Sequence, residues 1–109
     1  MRILFDNGAP RPIARSLKNH EVTFARKIGW HELENSALIE RAEAAGYDLL
    51  LSTDKNIRYQ QNLEGRRIAL VILGNTQWPL VQLQLDAIAA AVNRSTPGSY
   101  TEVPIPFKR

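Results

Sequence analysis

Hydrophobic residues fall into short runs along the chain, separated by segments with helical spacing. The runs at residues 3–5, 49–51 and 68–73 are apolar at nearly every position, which is typical of strands buried on both faces of a parallel sheet. Residues 21–25 alternate instead, with Val22 and Phe24 set between polar neighbours, which indicates a further strand. Pro104 and Pro106 allow at most an edge strand in the tail of residues 94–109.

The segments between these runs have the spacing of helices. Pro10 and Pro12 stand where a helix can begin, and Ile13 and Leu17 follow on one face. Residues 32–46 predict a helix that ends at Gly46, residues 55–63 a short helix, and residues 78–94 a long amphipathic helix. Strands that alternate with helices predict a three-layer α/β/α domain with a mostly parallel central sheet.

Composition narrows the class of protein. A chain of 109 residues is the size of one domain, and we expect residues 1–109 to form one. No apolar run approaches the roughly 20 residues that cross a bilayer, so no membrane partner is expected. The chain contains no cysteine, which excludes disulfides and thiolate metal sites, and a cytoplasmic protein is the default expectation. The net charge of +3 is a mild basic bias that suits a polyanionic partner.

Polar residues with oxygen ligands follow several of the predicted strands. Asp6, Asp54 and Asn75 come at or just after strand ends, where ligands bind in an open parallel sheet. Carboxylate and amide oxygens suit Mg²⁺ or Mn²⁺, and such ions can activate water and neutralise charge on a scissile phosphate. Two alternatives stay open, because Asp and Asn are common in turns and Asp54 can serve as a helix N-cap.

The order of motifs resembles the compact PIN-like domains, minimal relatives of the PIN-domain ribonucleases. The resemblance covers about residues 1–94 and is carried by ILFDNGAPRPIARSL, HEVTFARKIGW, ALIERA and DLLLSTDKNIRYQQNLEGRRIALVIL. It implies a three-layer α/β/α fold and an acidic phosphodiesterase site that depends on Mg²⁺ or Mn²⁺. Many members of the family are RNA-cutting toxins of bacterial toxin–antitoxin pairs, so RNA and an antitoxin protein are the partners implied, with a homodimer left open.

The resemblance assigns roles residue by residue. Asp6 matches the acid that ends the family's first strand, and Asp54 matches the acid of its Thr-Asp strand end. A third acid is expected near the middle helix, where Asn35 lies closest and Glu34 stands beside it. The predicted catalytic residues are therefore Asp6, Asp54 and Glu34, and Asn75 falls near a fourth, weaker ligand position.

Amides replace acids at some of these positions. Asn35 and Asn75 are predicted metal ligands beside Asp6 and Asp54, and Asn7 stands where relatives commonly have glutamate. An amide carries no negative charge, so we expect the cation to bind more weakly than in a fully acidic site. Glu34 or Glu32 supplies a further carboxylate if its loop turns inward; the alternative is a solvated acid near a helix start.

Basic and aromatic residues are candidates for RNA contacts. Lys55 and Arg58 are three residues apart just after Asp54, and Tyr59 can stack on a base. Arg11, in the early basic part of the chain, is the fourth RNA-binding candidate. The alternative for residues 55–59 is an ordinary surface helix with Tyr59 half-buried.

Two other functions stay open. A phospho-acceptor receiver domain also places acids at the strand ends of a parallel sheet, although it needs a paired acid where Asn7 stands and a lysine after a late strand. A PIN-like fold without catalysis, acting as a binding module, is the other. Serine hydrolase, P-loop and dinucleotide-binding motifs do not occur in the sequence.

Overall fold

The computed structural model of the protein describes residues 1–33, 35–54 and 65–106, with Asn35 described by its backbone. The strands are β1 (Arg2–Phe5), β2 (Glu21–Phe24), β3 (Leu49–Ser52), β4 (Ala69–Leu73) and β5 (Tyr100–Val103). The α-helices of these residues are α1 (Asn35–Ala44), α2 (Trp78–Val81) and α3 (Leu85–Arg94), and 3-10 helices span Arg11–Ser16, Ala25–Ile28 and Gln82–Gln84. The short helix predicted for residues 55–63 lies outside the described residues.

The strands form one parallel sheet in the order β2-β1-β3-β4-β5. Leu50, in the middle of β3, is opposite Leu4 of β1 on one side and Leu70 of β4 on the other. The prediction of an α/β fold with a mostly parallel sheet is confirmed. The tail does contribute a strand, β5, which pairs with β4 and lies at one edge of the sheet formed by the described residues.

Helices cover both faces of the sheet. On one face, Leu4, Leu50 and Leu70 pack in a cluster with Leu38 and Ile39 of α1. The other face packs against the first 3-10 helix, α2 and α3 through a second set of buried residues, which includes Ile3, Phe5, Leu51, Val71, Ile13, Leu17, Val81, Ile88 and Val92. Alternate residues of each strand therefore enter opposite layers, as the strand period of two requires.

Two predicted helices have a different form in the structure. The segment after Pro10 is a 3-10 helix, closed by hydrogen bonds from the Ile13 N–H to the Pro10 carbonyl and from the Leu17 N–H to the Ala14 carbonyl. The segment ends at Leu17, which leaves the helical region at φ −120° and ψ 42°. The helix predicted for residues 78–94 is interrupted where Gln84 leaves the α region, at φ −117° and ψ 20°. Within the described part of the chain, no helix is long and apolar enough to span a membrane.

Candidate functional site

The strand order defines one location where ligands bind in sheets of this kind. The chain leaves β1 toward β2 on one side, while β3 and β4 continue on the other, so the switch point lies between β1 and β3. Asp6 follows β1 directly and Asp54 follows β3 by two residues. Asn75 stands two residues beyond β4. All three predicted ligands thus follow neighbouring strands, at the end of the sheet where the carboxyl ends of the strands lie.

Ser52 connects the two carboxylate positions. Its side chain is fully buried, and its hydroxyl donates a hydrogen bond to Asp6 Oδ2 at 2.7 Å. The Ser52 Oγ also accepts a hydrogen bond from the Asp54 backbone N–H at 3.1 Å. The Asp6 backbone N–H also donates to the Leu51 carbonyl at 2.9 Å, which extends the pairing with β3 one residue past the end of β1. The position of the Asp6 carboxylate is therefore fixed from β3.

The Asp6 carboxylate keeps acceptor capacity in this arrangement. Oδ1 accepts the Asn7 backbone N–H at 2.7 Å, and Oδ2 accepts the Ser52 hydroxyl. An ionised carboxylate has about four lone-pair sites, so both oxygens can accept a further partner such as a cation. Asp6 and Asp54 are both half-buried, which leaves them within reach of solvent and of a ligand.

Gly8 lies where the turn after β1 approaches the segments that follow β3 and β4. A Cβ at this position would collide with Thr53 Oγ1, and it would lie 4.0 Å from Thr76 Cγ2. Thr53 belongs to the segment after β3 and Thr76 to the segment after β4. The turn after β1 therefore fits closely against the segment after β3 because residue 8 has no side chain.

The amide of Asn7 has a structural partner. Its Nδ2 donates a hydrogen bond to the carbonyl of His31 at 2.6 Å, which attaches the segment before α1 to the turn after β1. A carboxylate has no N–H to donate, so an acid at position 7 could not make this contact. Sequence reasoning treated Asn7 as a lost ligand and missed its function as a donor.

Asn75 makes the turn contact that was left open as an alternative. Its Oδ1 accepts the backbone N–H of Gln77 at 2.9 Å, immediately before α2. This is the contact by which Asn favours turns, a side-chain oxygen bonded to the backbone two residues on. The metal-ligand role of Asn75 stays a prediction.

A cavity of about 180 Å³ opens beside the Asp6 carboxylate. Arg11, the RNA-binding candidate, lines it together with Asp6 and Asn7. The Arg11 guanidinium lies over the Phe24 ring, with its central carbon 4.7 Å from the ring centroid. Phe24 and Arg26 also line the cavity, and sequence reasoning had singled out neither for the site.

The remaining predicted site residues are not part of the described structure. Glu34, Lys55, Arg58 and Tyr59 lie outside the described residues, as does the side chain of Asn35. Glu32, the alternative carboxylate, is exposed. In residues 1–33, 35–54 and 65–106, no group of three or more His, Cys, Asp or Glu side chains is placed to hold a metal ion.

One of the missed residues carried a signal in the sequence. Ser52 is a polar residue that directly follows three leucines of a strand buried on both faces. A buried hydroxyl needs a hydrogen-bond partner, and the acids at the neighbouring strand ends are the nearest acceptors that topology offers. Phe24 and Arg26 carried no comparable signal, because their placement depends on how β2 and the following 3-10 helix pack.

Comparison of the chain with protein-family models, with curated proteins and with solved structures finds no match. The resemblance to PIN-like domains therefore stays a hypothesis, and the site is interpreted from its own residues.

Proposed function

We propose that the protein is a metal-dependent ribonuclease of the PIN-like type, with Asp6 and Asp54 as its principal metal ligands. The observation that supports this most is the pair of acids following neighbouring strands at the switch point, connected through the buried Ser52. The motif order that resembles PIN-like domains supports the same assignment. The basic residues beside the site are consistent with a polyanionic substrate.

The donor atoms fit Mg²⁺ or Mn²⁺. Both ions prefer oxygen ligands and keep several waters, so a site with few protein ligands is compatible with their chemistry. Asp6 and Asp54 would hold the ion, with Glu34, Asn35 or Asn75 as further ligands. When bound, the ion would polarise a phosphoryl oxygen and favour ionisation of water at neutral pH.

The chain's own residues have separate tasks in this proposal. The Ser52 hydroxyl and the Asn7 backbone N–H orient the Asp6 carboxylate before any ligand arrives. Arg11 and Arg26 line the same cavity as Asp6, where they can attract the phosphates of an RNA strand. Lys55, Arg58 and Tyr59 are proposed to contact the same strand beyond Asp54.

A cleavage assay tests the proposal. Purified protein with Mn²⁺ should cut single-stranded RNA, and Asp6→Asn or Asp54→Asn should each lower the rate by at least about a hundredfold, as expected for loss of a catalytic group. Asp86→Asn is the matched control, because Asp86 is exposed in the first turn of α3. RNA that stays intact with Mn²⁺, or cleavage that survives both substitutions, would overturn the proposal.

The proposed biological role is that of a toxin held inactive by an antitoxin protein. This part rests on the resemblance to the PIN-like toxins. Induced expression should arrest growth of a bacterial host, and the Asp6→Asn variant expressed at the same level should not. If both proteins arrest growth equally, the toxicity does not come from this site.

The receiver-type alternative has one observation in its favour. The strand order β2-β1-β3-β4-β5 is also that of receiver domains, and Asp54 follows β3. Against it, Asn7 replaces the second acid, and β5 is followed by Pro104. Incubation with a small acyl phosphate and Mg²⁺ decides between them. Mass spectrometry would detect a phosphoryl group on Asp54 only if the receiver alternative is correct.

A further inference from the structure

The cavity beside Asp6 combines an apolar floor with a polar rim. Phe5, Ala9 and Ala25 are almost fully buried and form apolar parts of its lining. Asp6 and Asn7 line the part that belongs to the turn after β1. The cavity is thus amphipathic, and it shares the Asp6 carboxylate with the proposed metal site.

Two arginines complete the rim. Arg11 comes from the first 3-10 helix and Arg26 from the second, and both side chains are exposed. In the part of the chain that the structure describes, neither guanidinium is held in an ion pair with a carboxylate. Their positive charge is therefore available to an anionic ligand that enters the cavity.

Arg11 and the two phenylalanines form a layered wall. The Phe5 and Phe24 rings meet edge to face, with centroids 5.5 Å apart and an interplanar angle of 86°. The Arg11 guanidinium lies over the Phe24 ring, 4.7 Å from its centroid. The contact with Phe24 limits the freedom of the Arg11 side chain. Guanidinium planes and aromatic rings are the surfaces on which proteins stack unpaired nucleobases.

The size of the cavity favours a small base. Its volume is about 180 Å³, and an apolar cavity of about 150 Å³ is known to hold one benzene molecule. The cavity opens to solvent, so a six-membered pyrimidine ring fits inside it, whereas the larger fused rings of a purine would extend out of it. An aromatic, polar-edged ring attached to a phosphate is the ligand that fits the floor, the stack and the arginines together.

We infer that this cavity is a subsite for one pyrimidine nucleotide of an RNA strand, with the base against the Arg11–Phe24 stack and the phosphate toward Arg26. The inference rests on the proposed function and adds base selectivity to it. It makes Arg11 and Phe24 the residues that determine specificity, while Asp6 and Asp54 hold the metal.

Binding measured without cleavage tests the inference. Fluorescence anisotropy with labelled oligo(U) and oligo(A), in EDTA, should show oligo(U) binding about fivefold or more tightly, the lower end of what stacking one base contributes. Arg11→Gln and Phe24→Leu should abolish this preference, and circular dichroism checks that both variants fold. Arg15→Gln is the matched control, because Arg15 is exposed on the same 3-10 helix and does not line the cavity. This substitution should weaken the binding of both oligonucleotides equally.

The outcomes separate the inference from the proposed function. Equal binding of oligo(U) and oligo(A), or a preference that survives Arg11→Gln, would overturn the subsite. Uridine monophosphate that competes as strongly as oligo(U) would also overturn it, since the cavity would then serve a free nucleotide. If the protein cuts RNA with Mn²⁺ but shows no pyrimidine preference, the ribonuclease proposal stands and the subsite inference is wrong. If the protein prefers oligo(U) but cuts no RNA, the subsite inference stands and the ribonuclease proposal is wrong.

Discussion

Single residues at the carboxyl ends of the strands determine the orientation of the Asp6 carboxylate. Ser52 is buried, and its hydroxyl serves both as a donor to Asp6 and as an acceptor for the Asp54 N–H. Removing the hydroxyl deletes both hydrogen bonds and frees the carboxylate to turn. A buried polar group that loses its partner costs about 1–3 kcal/mol.

Ser52→Ala is therefore expected to lower both stability and activity. Urea unfolding should show a loss of about 1–2 kcal/mol, and the rate of RNA cleavage should fall about tenfold, as for other groups that orient metal ligands. Ser95→Ala is the control, since its hydroxyl donates to the Ala91 carbonyl at the end of α3. It should lower stability while the rate stays unchanged. If Ser52→Ala changes stability alone, Ser52 does not position Asp6 for chemistry.

Asn7 links metal affinity and stability in opposite directions. Asn7→Asp adds a carboxylate beside Asp6, which should tighten Mn²⁺ binding several-fold. It also removes the Nδ2 donor to the His31 carbonyl, at a cost of about 1 kcal/mol. Manganese titration and urea unfolding measure the two effects. Asn19→Asp, a change of the same charge in the exposed turn before β2, should alter neither; tighter Mn²⁺ binding there would attribute the effect to net charge alone.

At the scale of elements, the turns after β1 and β3 are fitted together at Gly8. Gly8→Ala should destabilise the protein by about 1–3 kcal/mol, because the new Cβ collides with Thr53 Oγ1. The double variant Gly8→Ala/Thr53→Ala removes that oxygen and should recover most of the loss, which a double-mutant cycle in urea can measure. Strictly additive losses would contradict the proposed contact between these turns.

The end of α1 is attached to the start of β4 by one carboxylate. The Glu43 carboxylate accepts hydrogen bonds from the backbone N–H groups of Arg67 and Ile68 and from the guanidinium of Arg66. The Arg67 N–H is the main cause that holds the pKa of Glu43 below its ordinary value of 4.5. Burial acts in the opposite direction and is outweighed.

This lowered pKa predicts a pH dependence of stability. The unfolded chain binds a proton at Glu43 more readily than the folded protein, so the stabilisation is present above the ordinary pKa and is lost as the pH falls through the lowered one. Glu43→Gln should lower the free energy of unfolding by about 1 kcal/mol at neutral pH and by less in acid. Glu40→Gln, an exposed change on the same helix, should have little effect at either pH. Equal losses from Glu43→Gln at both pH values would contradict the assignment.

At the scale of the whole molecule, the sheet aligns the candidate ligands before any side chain is considered. The two carboxylates follow adjacent strands because β3 pairs with β1 and not with β2. That these residues follow neighbouring strand ends was predictable from the sequence, because apolar runs determine the strands and parallel strands end together. The strand order itself was not specified by the pattern.

The details of the site depended on contacts between distant segments. The Ser52–Asp6 hydrogen bond joins residues 46 positions apart, and the Asn7–His31 bond joins residues 24 apart. Periodicity and turn chemistry are local signals and carry no information on such pairs. The same limit applies to Phe24, whose place in the cavity wall follows from the packing of β2 against β1.

The most direct test of the central claim is a calorimetric titration of Mn²⁺ into the protein, with Asp6→Asn, Asp54→Asn and Asp86→Asn measured in parallel. The account predicts saturable binding by the unchanged protein and by Asp86→Asn. Binding should be lost or weakened at least about tenfold in each of the other two, since each removes a charged ligand. Equal Mn²⁺ binding by all four proteins, or none by the unchanged protein, would contradict a metal site built on Asp6 and Asp54.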